Sequence, residues 1–317
     1  MIEVENLSKH YGRTRAVDDL TFTAPSGKVT GFLGPNGAGK STTMRMIVGL
    51  DRPTGGRAGI DGVRYRDLPS PLRTVGAVLD TGGVPRGMTA AAHLRWVTAA
   101  ARLPDRRVDE VLGTVGLSDV AGKRVGGFSL GMRQRLGIAT ALLGDPGTLL
   151  LDEPVNGLDP EGVRWVRTLM RSLAAEGRTV LVSSHLMGEM AETADRVVVI
   201  GRGRLIADTT VADLVHRGAG GRVRVSGPRQ ESLAAVLRDH GCTVETGTTA
   251  DDTSGTPALV VTGAEAADIG DLAARYGLAL HELTAQRPSL EDVFMEITGD
   301  SAGHVFAPAT TVAGGEK

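Results

Sequence analysis

The chain is poor in the residues on which several common architectures depend. A single cysteine, Cys242, excludes an internal disulfide framework and fits a reducing compartment, where a small core residue is its plain role. Aromatic residues make up only 3% of the 317 positions against 41% for all hydrophobic types, so the core must be aliphatic. That hydrophobic share is too high for an intrinsically disordered chain. A formal net charge of −2 removes the bulk basicity that usually accompanies nucleic-acid binding. No run of about 18 apolar residues is present to cross a bilayer. The opening "MIEVENLSKH" has neither the basic nor the apolar segment of a secretion signal. The expectation is a soluble, cytoplasmic protein that meets a membrane only through a partner.

What is present is a pattern of short aliphatic runs alternating with helical stretches. Residues 1–33 alternate β-prone segments with turns and end in "KVTGFLG"; "STTMRMIVGL" then has helical character. A glycine-rich β-prone stretch follows from Thr54 to Gly83, and residues 88–125 read as mainly helical. Further strands are expected at "TLLLDEP", "TVLVSSH" and "RVVVIGRGRLIA", with a helix at "EGVRWVRTLMRSLAAEG" between the first two. Buried strands alternating with helices predict a largely parallel sheet in an α/β fold. Near His216 the pattern changes. "HRGAGGRV" reads as a linker, and beyond it the order β-α-β-β-α-β predicts a small ferredoxin-like domain closed by a helix at "SLEDVFMEITG". The expected division is 1–215, 220–298, and a disordered polar tail over 299–317.

The strongest chemical signal is "GPNGAGKST", comprising Gly34, Pro35, Asn36, Gly37, Ala38, Gly39, Lys40, Ser41 and Thr42. It satisfies G-x-x-x-x-G-K-[ST] between a strand and a helix. The glycines let successive backbone N–H groups turn inward around phosphate oxygens, Lys40 brings charge to the terminal phosphates, and Ser41 offers a hydroxyl to Mg²⁺. In "TLLLDEP", Asp152 and Glu153 end a buried strand, at the sheet edge where open α/β folds bind ligands. Asp152 is expected to hold Mg²⁺, and Glu153 to orient and polarise the attacking water. Alone, such a pair is commonly a solvated turn; with a phosphate loop upstream it becomes a site. His185 closes "TVLVSSH" within reach of a γ-phosphate, although a lone histidine after a strand is more often incidental. Tyr11 is placed to stack on an adenine, although a single turn tyrosine is usually just packing.

A second small, flexible segment, "FSLGMRQR" at residues 128–135, also opens a helix and also suits a phosphate. Taken in order, "GPNGAGKST", "FSLGMRQR", "LLLDEP", "NGLD" and "SSH" resemble the nucleotide-binding subunits of ABC transporters over residues 1 to about 215. The resemblance implies a P-loop NTPase core of ABC type with an antiparallel β subdomain and a helical subdomain at about 84–135. It implies ATP and Mg²⁺ as cofactors, and two domains meeting head to tail. Ser129, Gly131 and Asp159 would then serve the ATP on a partner's phosphate loop, whether the partner is a second copy or a paired ABC ATPase. Leu130 stands where that family's signature has a glycine, and Met132 where it has a glutamine. The ending "RPSLEDVFMEITG" is similar to the ATPases of bacitracin- and lantibiotic-type exporters, in which the permease is a separate chain.

One position departs from that pattern. The family has a strand ending in glutamine near the Mg²⁺ and the attacking water; here the strand "TVGAVLD" ends in Asp80. A carboxylate there would ligate Mg²⁺ or repel the γ-phosphate, and the sequence does not choose. The functional expectation is the ATPase of an export transporter for a drug, antibiotic or antimicrobial peptide. The alternatives are a catalytically slow nucleotide-sensing subunit or an importer ATPase with a regulatory C-terminal domain. Nucleic acid is not an expected partner: there is one phosphate loop, no sustained heptad pattern and almost no net charge.

Overall fold

A computed structural model describes residues 1–79, 83–184, 187–218, 222–247 and 258–286. The hairpin β1 (Ile2–Tyr11) and β2 (Thr14–Ala24) leads into β3 (Val29–Leu33), the phosphate loop and α1 (Lys40–Ile47). β4 (Gly55–Ile60) returns to pair with β1, completing an antiparallel sheet of order β2-β1-β4. A short helix α2 (Pro71–Thr74) precedes β5 (Val75–Val78), after which α3 (Ala90–Ala100), α4 (Arg106–Thr114) and α5 (Leu130–Leu142) follow in succession. Then come β6 (Thr148–Asp152), α6 (Pro160–Ala175), β7 (Thr179–Ser184), α7 (Met187–Thr193), β8 (Arg196–Gly201), β9 (Arg204–Thr210) and α8 (Val211–Gly218).

The central sheet has the order β5-β6-β7-β3-β8-β9, parallel throughout except for β9. Its four inner strands, β6, β7, β3 and β8, are buried on both faces, which is why they read as largely aliphatic runs, while the edge strand β9 is mostly half-buried or exposed. Alternation along each strand then divides the core in two. Phe32, Leu150, Leu181 and Val198 face the side on which α1 and the antiparallel sheet pack, with Met44 and Ile47 of α1 among them. Leu33, Leu149, Leu151, Val180 and Val182 face the other side, which shares one cluster with Leu94, Val111, Leu136 and Val166 of the helices α3 to α6. Each fully buried Leu, Ile or Phe contributes roughly 1.5–3 kcal/mol of transfer free energy. A polar residue on a central strand therefore needs a specific reason to be there.

Two expectations are corrected. "RVVVIGRGRLIA" is not one strand but the hairpin β8–β9, turned at Arg202 (φ 50°) and Gly203 (φ 80°). A two-residue turn with both central residues at positive φ matches the right-handed twist of its strands. The helix that includes His216 runs on to Gly218, where a glycine-rich linker was expected.

The C-terminal elements β10 (Arg222–Ser226), α9 (Gln230–Asp239), β11 (Thr243–Gly247), β12 (Ala258–Thr262), α10 (Ala266–Arg275) and β13 (Glu282–Gln286) follow the expected β-α-β-β-α-β succession. They form an antiparallel sheet of order β11-β12-β10-β13, the ferredoxin-like arrangement. Val223, Val225, Leu237, Val261 and Ile269 make its core. The final strand starts later than "LALHELT" implies. β10 ends at Ser226, its partner in register is Glu282, and Leu278 and Leu280 pack against the core from outside the strand. The helix expected at "SLEDVFMEITG" and the tail over 299–317 lie outside the described residues.

Candidate nucleotide site

The phosphate loop leaves the C-terminal end of β3 and enters α1 through Gly39 at φ 106°. No other residue type fits there: the conformation is left-handed, and a Cβ would lie 2.5 Å from the carbonyl oxygen of Ala16. Gly39 at the N-cap has no side chain to cap α1, which leaves the orphan N–H groups of the first turn without that usual acceptor. Pro35, Asn36 and Gly37 are exposed, whereas Gly34 and Ala38 are buried, and Ala38 is tied down by Ala38 N–H to Pro35 O (3.1 Å) and Gly203 N–H to Ala38 O (3.0 Å). Ser41 is exposed, Thr42 is half-buried, and Thr43 donates to Gly39 O (2.9 Å).

Lys40 is 7% exposed, and its Nζ donates to Gly34 O (2.6 Å) and Pro35 O (3.3 Å), curled inside the loop that it would serve. Burial lowers its pKa below the ordinary lysine value, while the nearby Glu153 and Asp152 carboxylates oppose that shift. The fold therefore brings together the loop lysine and both predicted carboxylates. Strand order explains how. β7 lies between β3 and β6, so the ends of all three strands fall on one sheet edge. Asp152 continues the face of Leu150, and Ser183 the face of Leu181, both on the α1 side.

Glu153 directly follows β6 and takes φ 49°, a left-handed conformation uncommon outside glycine and costing of order 1–3 kcal/mol. Its N–H is held by Ser183, through the hydroxyl (3.0 Å) and the carbonyl (3.3 Å), while the Ser183 hydroxyl donates to Asp152 Oδ1. Sequence reading passed over Ser183. The available signal was a hydroxyl at a position where "TVLVSS" otherwise reads as buried strand. Tyr11 is half exposed at the end of β1; its OH donates to Asp51 Oδ2 (3.0 Å), which also accepts from Arg45 Nε of α1 (2.8 Å). The stacking candidate is thereby fastened to the helix that starts the phosphate loop's far side. Asp80 and His185 lie outside the described residues.

The second cradle opens other helices, α5 and α6. Ser129 is exposed and caps α5, its Oγ accepting from Met132 N–H (3.2 Å). Asp159 is exposed and caps α6, accepting from Gly162 N–H (2.9 Å). The two caps are neighbours: Leu130 lies so close over Gly157 that a Cβ there would fall 2.0 Å from Leu130 Cδ2, and Gly131 abuts Leu158. Further along, the Arg135 guanidinium of α5 stacks on the Trp165 ring of α6 at 4.7 Å. The signature and "NGLD" thus form one unit, each capping its own helix, with Ser129 and Asp159 exposed.

The donor set suits a hard divalent cation. Ser41 and Asp152 supply oxygen alone, and the described residues contain no cluster of three or more His, Cys, Asp or Glu side chains. Mg²⁺ binds that way, through one or two protein oxygens together with water and nucleotide phosphates.

Comparison with known proteins agrees with this geometry. The ABC transporter family matches residues 17–156, and a domain of unknown function matches residues 221–291. The uncharacterized ABC transporter ATP-binding protein YhcH of Bacillus subtilis (strain 168) is 34% identical over 309 residues, covering 96% of this chain and 98% of that protein. The bacitracin transport ATP-binding protein BcrA of Bacillus licheniformis is 41% identical over 220 residues, 68% of this chain and 72% of that protein. Among solved structures, the dimeric ATP-binding cassette MJ0796 with bound ADP and phosphate superposes with a TM-score of 0.61 at 25% identity, covering 67% of this chain and 99% of that one. This chain belongs to the ABC transporter ATP-binding proteins. It is an ATPase of that class, related to the antibiotic and drug exporter ATPases.

Proposed function

We propose that the chain is the ATP-hydrolysing subunit of an exporter for a drug, antibiotic or antimicrobial peptide, driving a separate permease by closing as a dimer around ATP. The observation that supports this most is the division of labour on one chain. Lys40, Asp152 and Glu153 converge at the uncapped start of α1, while Ser129, Gly131 and Asp159 face outward as a second, self-capped unit. A site split in this way is completed by another molecule. The name of BcrA supports an antibiotic cargo, and the dimer of MJ0796 supports the pairing.

In this reading the loop from Gly34 to Thr42 wraps the phosphates with its amides, and Lys40 exchanges its two carbonyl contacts for phosphate oxygens. Ser41 and Asp152 hold Mg²⁺, which when bound neutralises phosphate charge. Glu153 would orient and polarise the attacking water, His185 would reach the γ-phosphate, and Asp80 would offer Mg²⁺ a further carboxylate. Tyr11 stacks on the adenine, and a partner's Ser129, Gly131 and Asp159 close over the nucleotide. Catalysis then rests on positioning and charge, as phosphoryl transfer requires.

The motor occupies 1–215 and the small domain 220–298. Among the described residues no helix is long and apolar enough to cross a membrane. In this reading the chain is cytoplasmic and lies at the inner face of the cell membrane, held there by a separate integral-membrane permease. The cleft between α2 and α3, about 610 Å³ and lined by Pro69, Pro71, Trp96, Val97 and Ala100, supports docking there; Trp96 is 63% exposed. The deciding experiment measures ATP hydrolysis and dimerisation with Mg²⁺ for wild type and Glu153→Gln. The expected result is turnover by the wild type, and a variant slowed about 10²–10⁴-fold that still dimerises on ATP. Absence of hydrolysis in both, even with the permease present, overturns the catalytic reading.

A further inference from the structure

We infer that Ser183 is a positioning residue for ATP hydrolysis, a single hydroxyl that sets both the metal-binding carboxylate and the water-orienting glutamate. The inference rests on the ATPase reading above. Ser183 is fully buried near the end of β7, paired in register with Asp152 on one side and Phe32 on the other. A fully buried serine on a central strand gives up the apolar transfer energy of its neighbours, so its hydrogen bonds must account for it.

The two bonds are directional. A serine hydroxyl carries one proton, and here it goes to Asp152 Oδ1. That bond fixes the carboxylate's orientation and leaves Oδ2 as the oxygen not used by Ser183. The same oxygen of Ser183 accepts from the N–H of Glu153 at 3.0 Å, alongside the Ser183 carbonyl at 3.3 Å. Glu153 sits at φ 49°, a conformation that persists only where its surroundings hold it. One atom therefore ties the carboxylate of residue 152 to the backbone of residue 153. Partners one step removed from a metal typically change affinity or activity 10–100-fold when lost.

The test uses the full chain with Ser183→Ala and Ser183→Thr. In the alanine variant the Ser183 carbonyl still accepts from Glu153 N–H, so the strand remains satisfied and the fold is expected to survive, as a thermal melt checks. Mn²⁺ affinity is read by electron paramagnetic resonance with a non-hydrolysable ATP analogue bound, and kcat and KM for ATP are measured separately. The expected result for Ser183→Ala is a 10–100-fold weaker Mn²⁺ affinity and a kcat lowered by a similar factor. KM and analogue binding in EDTA should stay within about twofold, and Ser183→Thr should restore both losses. Unchanged Mn²⁺ affinity in a folded Ser183→Ala variant overturns the inference, as does a folded threonine variant that restores neither quantity. The ATPase reading fails separately: a wild type that binds Mn²⁺ and the analogue but never turns ATP over sinks that reading, while the Mn²⁺ comparison still decides the role of Ser183.

Discussion

α1 and α5 both begin on small residues suited to a phosphate, yet the two helix starts are built in opposite ways. α1 is entered through a left-handed glycine with no side-chain cap, and its first residue, Lys40, is buried against carbonyls of its own loop. α5 is entered through an extended serine whose hydroxyl oxygen accepts from Met132 N–H. A helix N-terminus carries orphan N–H groups and roughly half a positive charge, so an uncapped start is disposed to take an anion. A capped start is stable in the lone chain and can stand exposed until a ligand arrives with another molecule. In the proposed function the first cradle seizes nucleotide and the second is presented to a partner.

The largest blow to that contrast falls at Gly39. Alanine there meets both a left-handed φ and a Cβ 2.5 Å from Ala16 O, so the loop must shift. Strain of this kind costs on the order of 1–3 kcal/mol before any phosphate contact is lost. Gly39→Ala should weaken ATP binding by the isolated chain about tenfold or more, measured with a fluorescent nucleotide. Near-normal affinity would show that the first cradle does not depend on its backbone geometry.

A smaller and qualitatively different loss is expected from Ser129→Ala. Removing the cap should cost about 1 kcal/mol of stability. It should leave nucleotide binding by the monomer unchanged and reduce ATP-driven dimerisation, read by analytical ultracentrifugation. If monomer affinity falls instead, Ser129 serves its own nucleotide and the contrast collapses.

How much of this was legible depended on whether the information was contiguous. The phosphate loop is a requirement of consecutive backbone, so Gly34 to Thr42 declared itself in nine letters, as did Asp152–Glu153 at the end of an aliphatic run. The ferredoxin-like succession was readable because each element is short and separately patterned. The role of Ser183 was not, because it needs the β6–β7 register to bring Asp152 opposite a residue 31 positions away. The stacking of Arg135 on Trp165 was hidden for the same reason. The β8–β9 turn was missed by reading the aliphatic residues on either side as one run, although "GRGR" at 201–204 interrupts them and is itself a glycine-bearing turn signal. The late start of β13 followed the end of its partner, which periodicity does not report.

The least of the expected effects tests how the two helices are seated. α1 rests on Met44, Met46 and Ile47, while its buried Thr43 bonds back to Gly39 O of its own loop. α5 is seated partly through a polar contact: the buried His93 of α3 meets Thr140 Oγ1 through Nε2 at 3.2 Å, and among the described residues its Nδ1 has no hydrogen-bond partner. Thr140 gives its own proton to Leu136 O, so the imidazole Nε2 is the donor and Nδ1 is left bare in the interior. Burial holds the His93 pKa below its ordinary 6.5. The folded protein then binds fewer protons than the unfolded chain as pH falls through 6.5, so stability rises with pH and is lost on the acid side. Urea melts at pH 7.5 and 5.5 should show a larger acid loss for wild type than for His93→Gln, whose amide can still donate to Thr140 but cannot titrate. Hydrogen exchange at the lower pH should localise the loosening to α5 and spare α1. The presented cradle would then be the acid-sensitive one, and equal acid losses in the two proteins would place both helices on the same footing.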